Sequence, residues 1–300
     1  MARRDQSVAE NVAGEWFVDK SCIDCGICRW VAPRSFADAE DTAYVGAQPA
    51  SAAEEGAAGR AAVACPVGSI GGPAELLRAA ARQFPYPVLP DVWFCGWANR
   101  DSYGAAAWLI VRPEGNVLID VPRPAPALVQ GIEKLGGVRQ LVLTHRDDVA
   151  GHGYFAQHFG TIRVMHRLDV DADTAEVEQL IDQDTPLGPD LRLVTLPGHT
   201  RGSIGLSWRE EVLFSGDHVW GAGPRGRHAE GGGPGHAGSA LGAGRSVCWW
   251  SWPQQIRSME RLLEIPFAAV LPGHGRPWFG GHQARVPALE ALIGWMKGPA

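Results

Sequence analysis

Apolar residues along this chain fall into two kinds of pattern. Short continuous runs of strand length occupy Ala106–Val111, Asn116–Ile119, Gln140–Leu143, Thr161–Met165, Arg192–Leu196, Ile204–Trp208, Glu211–Phe214 and Ala268–Leu271. Helical spacing lies between and after them, over Pro124–Leu135, Ala150–Phe159, Pro253–Leu263 and Gln283–Met296. In the third of these, Ile256, Met259, Leu262 and Leu263 share one helical face. Strands and a hairpin separated by helices predict a layered α/β fold. Two stretches break the pattern. Phe84–Pro90 carries three prolines in seven residues, which predicts a stiff extended linker rather than a core element. Gly221–Gly244 has ten glycines in 24 residues and no periodicity, which predicts a mobile loop placed to act as a lid.

The linker divides the chain into residues 1–84, a linker at 85–90, and residues 91–300, and 300 residues suit two domains of ordinary size. A hydrophobic content of 45% supports sizeable cores. The net charge of −6 gives no basic face for nucleic acid, so none is expected as a partner. No run reaches the roughly 18 apolar residues of a membrane span. Arg3 and Arg4 are followed by no apolar stretch, so no secretory leader and a cytoplasmic location are expected. In that setting six cysteines read as metal or redox ligands before disulfides.

Cys22-Ile-Asp-Cys25-Gly-Ile-Cys28 is a C-x2-C-x2-C run, and Cys65-Pro66 supplies a fourth thiolate after a gap of 36 residues. Three thiolates on one tight loop can each reach a different iron of a cubane, and the distant fourth closes the cage. Ile23, Ile27, Val63, Val67 and Ile70 would give an apolar shell. A structural zinc site is the alternative, but zinc sites pair two C-x2–4-C arms, and here the division is three and one. The segment from about residue 15 to 72 resembles the single-cluster bacterial-type ferredoxins. That likeness implies a small α+β domain with one [4Fe–4S] cluster on Cys22, Cys25, Cys28 and Cys65. Cys95 and Cys248 stand apart and read as small buried hydrophobes.

Further along, four segments put ligand-type residues just after apolar runs. They are Leu143-Thr-His145-Arg-Asp147-Asp148-Val-Ala-Gly-His152, Leu196-Pro-Gly-His199, Phe214-Ser-Gly-Asp217-His218 and Leu271-Pro-Gly-His274. In three a glycine precedes the ligand, permitting a sharp turn. Imidazole with carboxylate suits zinc, iron or manganese. These segments resemble the metallo-β-lactamase superfamily in its glyoxalase II-like branch. The likeness implies a four-layer αββα sandwich from Asp91 onward. His145, His199, Asp217 and His274 match its motifs, and Asp120 would support the site from behind. The first motif departs from the family's T-H-x-H-x-D-H. Asp147 stands where the second histidine belongs, and a two-residue insertion would let His152 replace the last one. Either Asp147 or Asp148 is left to bind metal. His145, His199 and Asp217 make one set; Asp217, His274 and His152 make a second. One or two zinc or iron ions are expected.

The likeness implies a hydrolase of esters, thioesters or lactones acting on a small-molecule substrate through metal-activated water, with Asp217 and Asp148 as catalytic groups. The alternative is a ferredoxin-fed non-haem iron oxidoreductase, since hydrolysis needs no electrons; a redox partner would then reduce the cluster. His218, and His228 and His236 on the glycine-rich loop, stay outside the ligand set. Cys248-Trp249-Trp250-Ser-Trp252 reads either as a substrate wall or as core for at least one ring.

Overall fold

The computed structural model describes residues 2–223 and 240–298. The chain parts into two compact units. One comprises Met1–Leu141 with Ala150–Thr161, the other Val142–Val149 with Ile162–Ala300.

The first unit begins with β1 (Phe17–Val18), α1 (Ile27–Val31), a hairpin of β2 (Phe36–Ala39) and β3 (Thr42–Val45), α2 (Ala52–Ala64), β4 (Ile70–Gly71) and α3 (Ala74–Ala81). Ser51 caps α2 by accepting from the Glu54 amide, while the Glu54 carboxylate accepts from Ala50 N at 2.8 Å. That reciprocal pairing satisfies amides the helix start would otherwise leave bare. Val18, Phe36, Val45, Ala58, Ala61 and Ile70 form the core beneath the cysteines.

Five strands follow in chain order: β5 (Tyr86–Leu89), β6 (Val92–Phe94), β7 (Trp108–Ile110), β8 (Val117–Ile119) and β9 (Gln140–Val142). With them go α4 (Pro126–Lys134) and α5 (His152–Phe159). β5 corrects the linker reading. The proline-rich segment is an edge strand paired antiparallel with β6, Tyr86 opposite Phe94 and Pro87 opposite Trp93. Proline lacks an N–H, but an edge strand has one side that needs no partner. Phe84 is buried and meets Phe94 edge-on at 5.8 Å. Trp30 of α1 stacks on Trp108 at 5.9 Å and lies 4.8 Å from Phe94, so the cysteine-bearing segment is packed onto these strands.

In the second unit β10 (Ile162–His166) pairs in parallel with β11 (Gln179–Ile181). A second sheet has the order β12 (Thr185–Pro186), β13 (Leu191–Thr195), β14 (Ile204–Trp208), β15 (Val212–Gly216), β18 (Ala269–Pro272). Between the last two come β16 (Trp220–Gly221), β17 (Leu241–Gly242) and α6 (Trp252–Leu262), and α7 (His282–Met296) closes the chain. Every residue of β14 and β15 is buried, the pattern of central strands covered on both faces. The face of α6 read from the sequence does pack inward: Met259 and Leu262 join Leu213, Phe267, Val270, Trp278 and Leu289, with Ile256 and Leu263 against them.

Two further elements differ from the sequence reading. β11 carries no long apolar run; the Arg163 guanidinium grips the Glu178 carboxylate beside it, with Nη2 to Oε1 at 2.6 Å. The glycine-rich stretch is not wholly loop, because its ends pair as β16 and β17. The lid reading falls on residues 224–239, outside the described residues.

Candidate cluster site and metal centre

Cys22, Cys25, Cys28 and Cys65 line one pocket together with Ile23, Ile27, Val67 and Ile70. Burial, then the neighbouring Cys65 thiol, pushes Cys25 up to about 12, and burial pushes Cys28 higher than usual as well. Thiols crowded in an apolar pocket resist ionisation singly, whereas bound iron stabilises all four as thiolates. Backbone amides already aim at sulfur: Asp24 N to Cys22 Sγ at 3.4 Å and Ser69 N to Cys65 Sγ at 3.3 Å. The pocket therefore fits a cubane cluster. Cys95 is fully buried away from it, as the sequence suggested.

The other centre is assembled from strand ends in the second unit. His145 follows β9, His199 follows β13, Asp217 follows β15 and His274 follows β18. Gly198 and Gly216 turn the chain with positive φ, as read from the sequence. Gly273 serves differently: a Cβ there would stand 2.8 Å from Asp217 Oδ1.

Two donor groups share Asp217. His145, His199 and Asp217 form one; Asp148, Asp217 and His274 form the other, each with ligand atoms within 4.8 Å of one another. In the first, His145 Nε2 and His199 Nε2 lie 3.7 and 3.8 Å from Asp217 Oδ2. Asp147 Oδ2 stands 3.4 Å from His199 Nε2 and 3.8 Å from His145 Nε2. Tetrahedral bonds of about 2.1 Å would put ligand atoms roughly 3.4 Å apart, so this spacing suits a metal ion better than direct hydrogen bonds. In the second group His274 Nδ1 is 2.9 Å from Asp217 Oδ2 and 3.8 Å from Asp148 Oδ2.

The electrostatics agree. Nε2 of buried His145 and both ring nitrogens of buried His199 have no hydrogen-bond partner. Such orphaned nitrogens are costly unless something takes up their lone pairs. Burial pulls His145 down to about 4, keeping the imidazole in its neutral, ligating form. Thr144 Oγ1 meets its Nδ1 at 2.9 Å, leaving Nε2 for a metal. Burial opposes the Asp217 charge, but His274, then His145 and His199, hold that carboxyl far below the usual range.

His152 opens α5 in the first unit and neither group includes it, whereas Asp148, one residue past Asp147, enters the second. Asp120 follows β8, also in the first unit, with a φ of 55°. His218 is buried with both ring nitrogens unpartnered, pushed by burial and His199 down to about 3. Trp249 is 65% exposed and Trp250 46%, so they are surface rings, while Trp252 packs on the core. Trp249 reaches 6.1 Å from the His199 ring and flanks the centre.

Asp169 escaped the sequence reading. This buried carboxylate accepts from the Gly202 amide at 2.7 Å, from the Thr200 hydroxyl, and from the Arg146 amide at 3.2 Å. It thereby ties the loop after His145 to the loop after His199. The available signal was its position: it follows the apolar run of β10 as the ligands follow theirs.

Residues 18–72 match the family described as the 4Fe-4S single cluster domain of ferredoxin I. Among solved structures, DIM-1 metallo-β-lactamase exposed to ceftazidime is similar at 18% identity and a TM-score of 0.50, over 70% of this chain and 94% of that one. A metallo-β-lactamase from Pontibacter korlensis is 19% identical with a TM-score of 0.48, over 71% and 98%. No curated protein matches the chain in sequence. Residues 18–72 are a ferredoxin domain, and with it goes a [4Fe–4S] cluster. The likeness to DIM-1 shows the metallo-β-lactamase fold. The paired histidine and aspartate groups suit one or two zinc or iron ions.

Proposed function

We propose that this protein is a metal-dependent hydrolase of small esters, thioesters or lactones, with a [4Fe–4S] domain built onto its first strands. The observation that carries this reading is the pair of donor groups bridged by Asp217. There His145 and His199, with Asp147 beside them, would hold one ion, Asp148 and His274 would hold the other, and Asp217 is common to both groups. Metal bound there supplies an activated water and polarises the carbonyl under attack. The protein's own part is to present neutral imidazoles, keep Asp217 ionised, and orient the water between Asp217 and Asp148. Trp249 offers an apolar face to the substrate beside His199.

A second reading has its own support. The ferredoxin domain is packed through Trp30 onto Phe94 and Trp108 rather than tethered, an arrangement that suits electron delivery. On that reading the second centre holds non-haem iron and an external redox partner reduces the cluster. Six unpaired cysteines suit the reducing cytoplasm; no described helix is long and apolar enough to cross a membrane.

Anaerobic purification with iron and zinc counting and EPR separates the two. About four irons plus zinc, with thioester or lactone cleavage that ignores reductant, is the expected result. About five or six irons without zinc, and turnover only with reductant, would replace hydrolysis by the redox reading.

A further inference from the structure

The ferredoxin family span accounts for all four thiols and for the lining of their pocket, yet a main-chain segment from beyond it lies against one ligand sulfur. Between β6 and β7, residues 98–104 form a tight strap. Tyr103 N donates to Arg100 O at 3.0 Å and Gly104 N to Asn99 O at 2.8 Å. The strap is pinned at three points: Ala98 N to Ala64 O at 3.3 Å, Asn99 Nδ2 to Ala150 O at 2.9 Å, and the Tyr103 hydroxyl to Ile23 O at 2.5 Å. Ile23 lies inside the C-x2-C-x2-C loop. Tyr103 and Gly104 both have positive φ, at 48° and 86°, and a tyrosine rarely sits there unless its surroundings hold it. A Cβ on Gly104 would stand 2.8 Å from Cys25 Cβ, 3.0 Å from Cys25 Sγ and 3.0 Å from Pro66 Cγ. Bare main chain is therefore laid against a ligand sulfur.

We propose that Tyr103 and Gly104 belong to the cluster site: Gly104 shields the Cys25 sulfur from water, and Tyr103 fixes the loop that carries it. Reduction adds a negative charge to the cluster, and water stabilises the more charged form. A strap that keeps water from Cys25 thus lowers the potential and slows attack by oxygen. Both properties would then depend on residues outside the ferredoxin span.

The test uses full-length protein purified anaerobically, with Tyr103→Phe and Gly104→Ala. The readouts are cluster potential by EPR-monitored titration and the rate of bleaching in air. Losing one ordinary hydrogen bond multiplies strap opening by about two- to tenfold, so Tyr103→Phe should bleach faster by that factor at a raised potential. Gly104→Ala should bleach faster still. Tyr103→Phe differs by one oxygen, and unchanged circular dichroism will show that it folds. If it loads four irons, bleaches at the wild-type rate and keeps the wild-type potential, the proposal is overturned.

Discussion

Replacing Asp169 by asparagine tests whether the metal centre depends on a carboxylate that no metal touches. The carboxylate's Oδ1 accepts from Gly202 N, and its Oδ2 serves both Thr200 Oγ1 and Arg146 N. An amide keeps one acceptor oxygen. If that oxygen stays on Gly202, the NH2 group turns toward the Arg146 N–H, and two donors face each other. One buried donor then goes unsatisfied, at about 1–3 kcal/mol. The Thr200 contact loses a charged acceptor, adding on the order of 1 kcal/mol. Asp169→Asn should therefore destabilise metal-free protein by about 2–4 kcal/mol, read from denaturant melts. Because the loops that move carry His145 and His199, zinc affinity should fall about 10- to 100-fold, as with other groups behind metal ligands. Competition against a chromophoric chelator measures this on protein whose cluster absorbance is intact. Asp184→Asn is the control. That carboxylate bonds Thr195, Arg192 and Arg261, so its loss should cost stability and leave zinc affinity near wild type. If Asp169→Asn bound zinc as tightly as wild type, the two ligand loops would not be held in place by this residue.

Metal-stripped protein should weaken on acidification. Burial holds His145 at about 4 and His218 at about 3, against roughly 6.5 unfolded. Below about pH 6.5 the unfolded chain takes up protons that the folded chain refuses. Stability present above that pH is thus lost as pH falls toward 4, by about 1.4 kcal/mol per unit for each ring. Melts that coincide from about pH 7 to 5 would contradict this. His199→Ala and Asp217→Ala should each abolish metal beyond the cluster, with His274→Ala removing only part of it; full non-cluster metal in His199→Ala would refute the ligand set. Cys25→Ala should bleach the brown anaerobic protein while Cys248→Ala keeps its colour, and equal loss in both would defeat the cluster assignment.

Much of this molecule is written in local pattern. Strands β7 to β10, β13 to β15 and β18 are short apolar runs because buried strands must be, and α6 shows its buried face in residue spacing. The cysteine spacing specifies a cluster because three thiolates on one loop have few other uses. His145, His199, Asp217 and His274 stand out because each follows a buried strand, where a side chain leaves the sheet at a defined point.

What the sequence could not decide are matters of pairing across distance. Proline suggested a linker at Phe84–Pro90, yet an edge strand tolerates proline, and only pairing with β6 reveals that edge. Spacing left Asp147 and Asp148 equivalent and put His152 in contention. A one-residue step in the short turn after His145 sets Asp147 beside His199 and Asp148 beside His274, both of them near His145, and no periodicity encodes that step. Asp169 and Tyr103 are ordinary residues until folding brings Asp169 to Gly202 and Tyr103 to Ile23. Sequence alone determined which ligand-type residues the chain carries and that they follow its strands, because residue type and strand ends are local properties. Tertiary structure decided which side chains meet in each donor group and which segment lies against Cys25, because those depend on contacts between segments far apart in the chain.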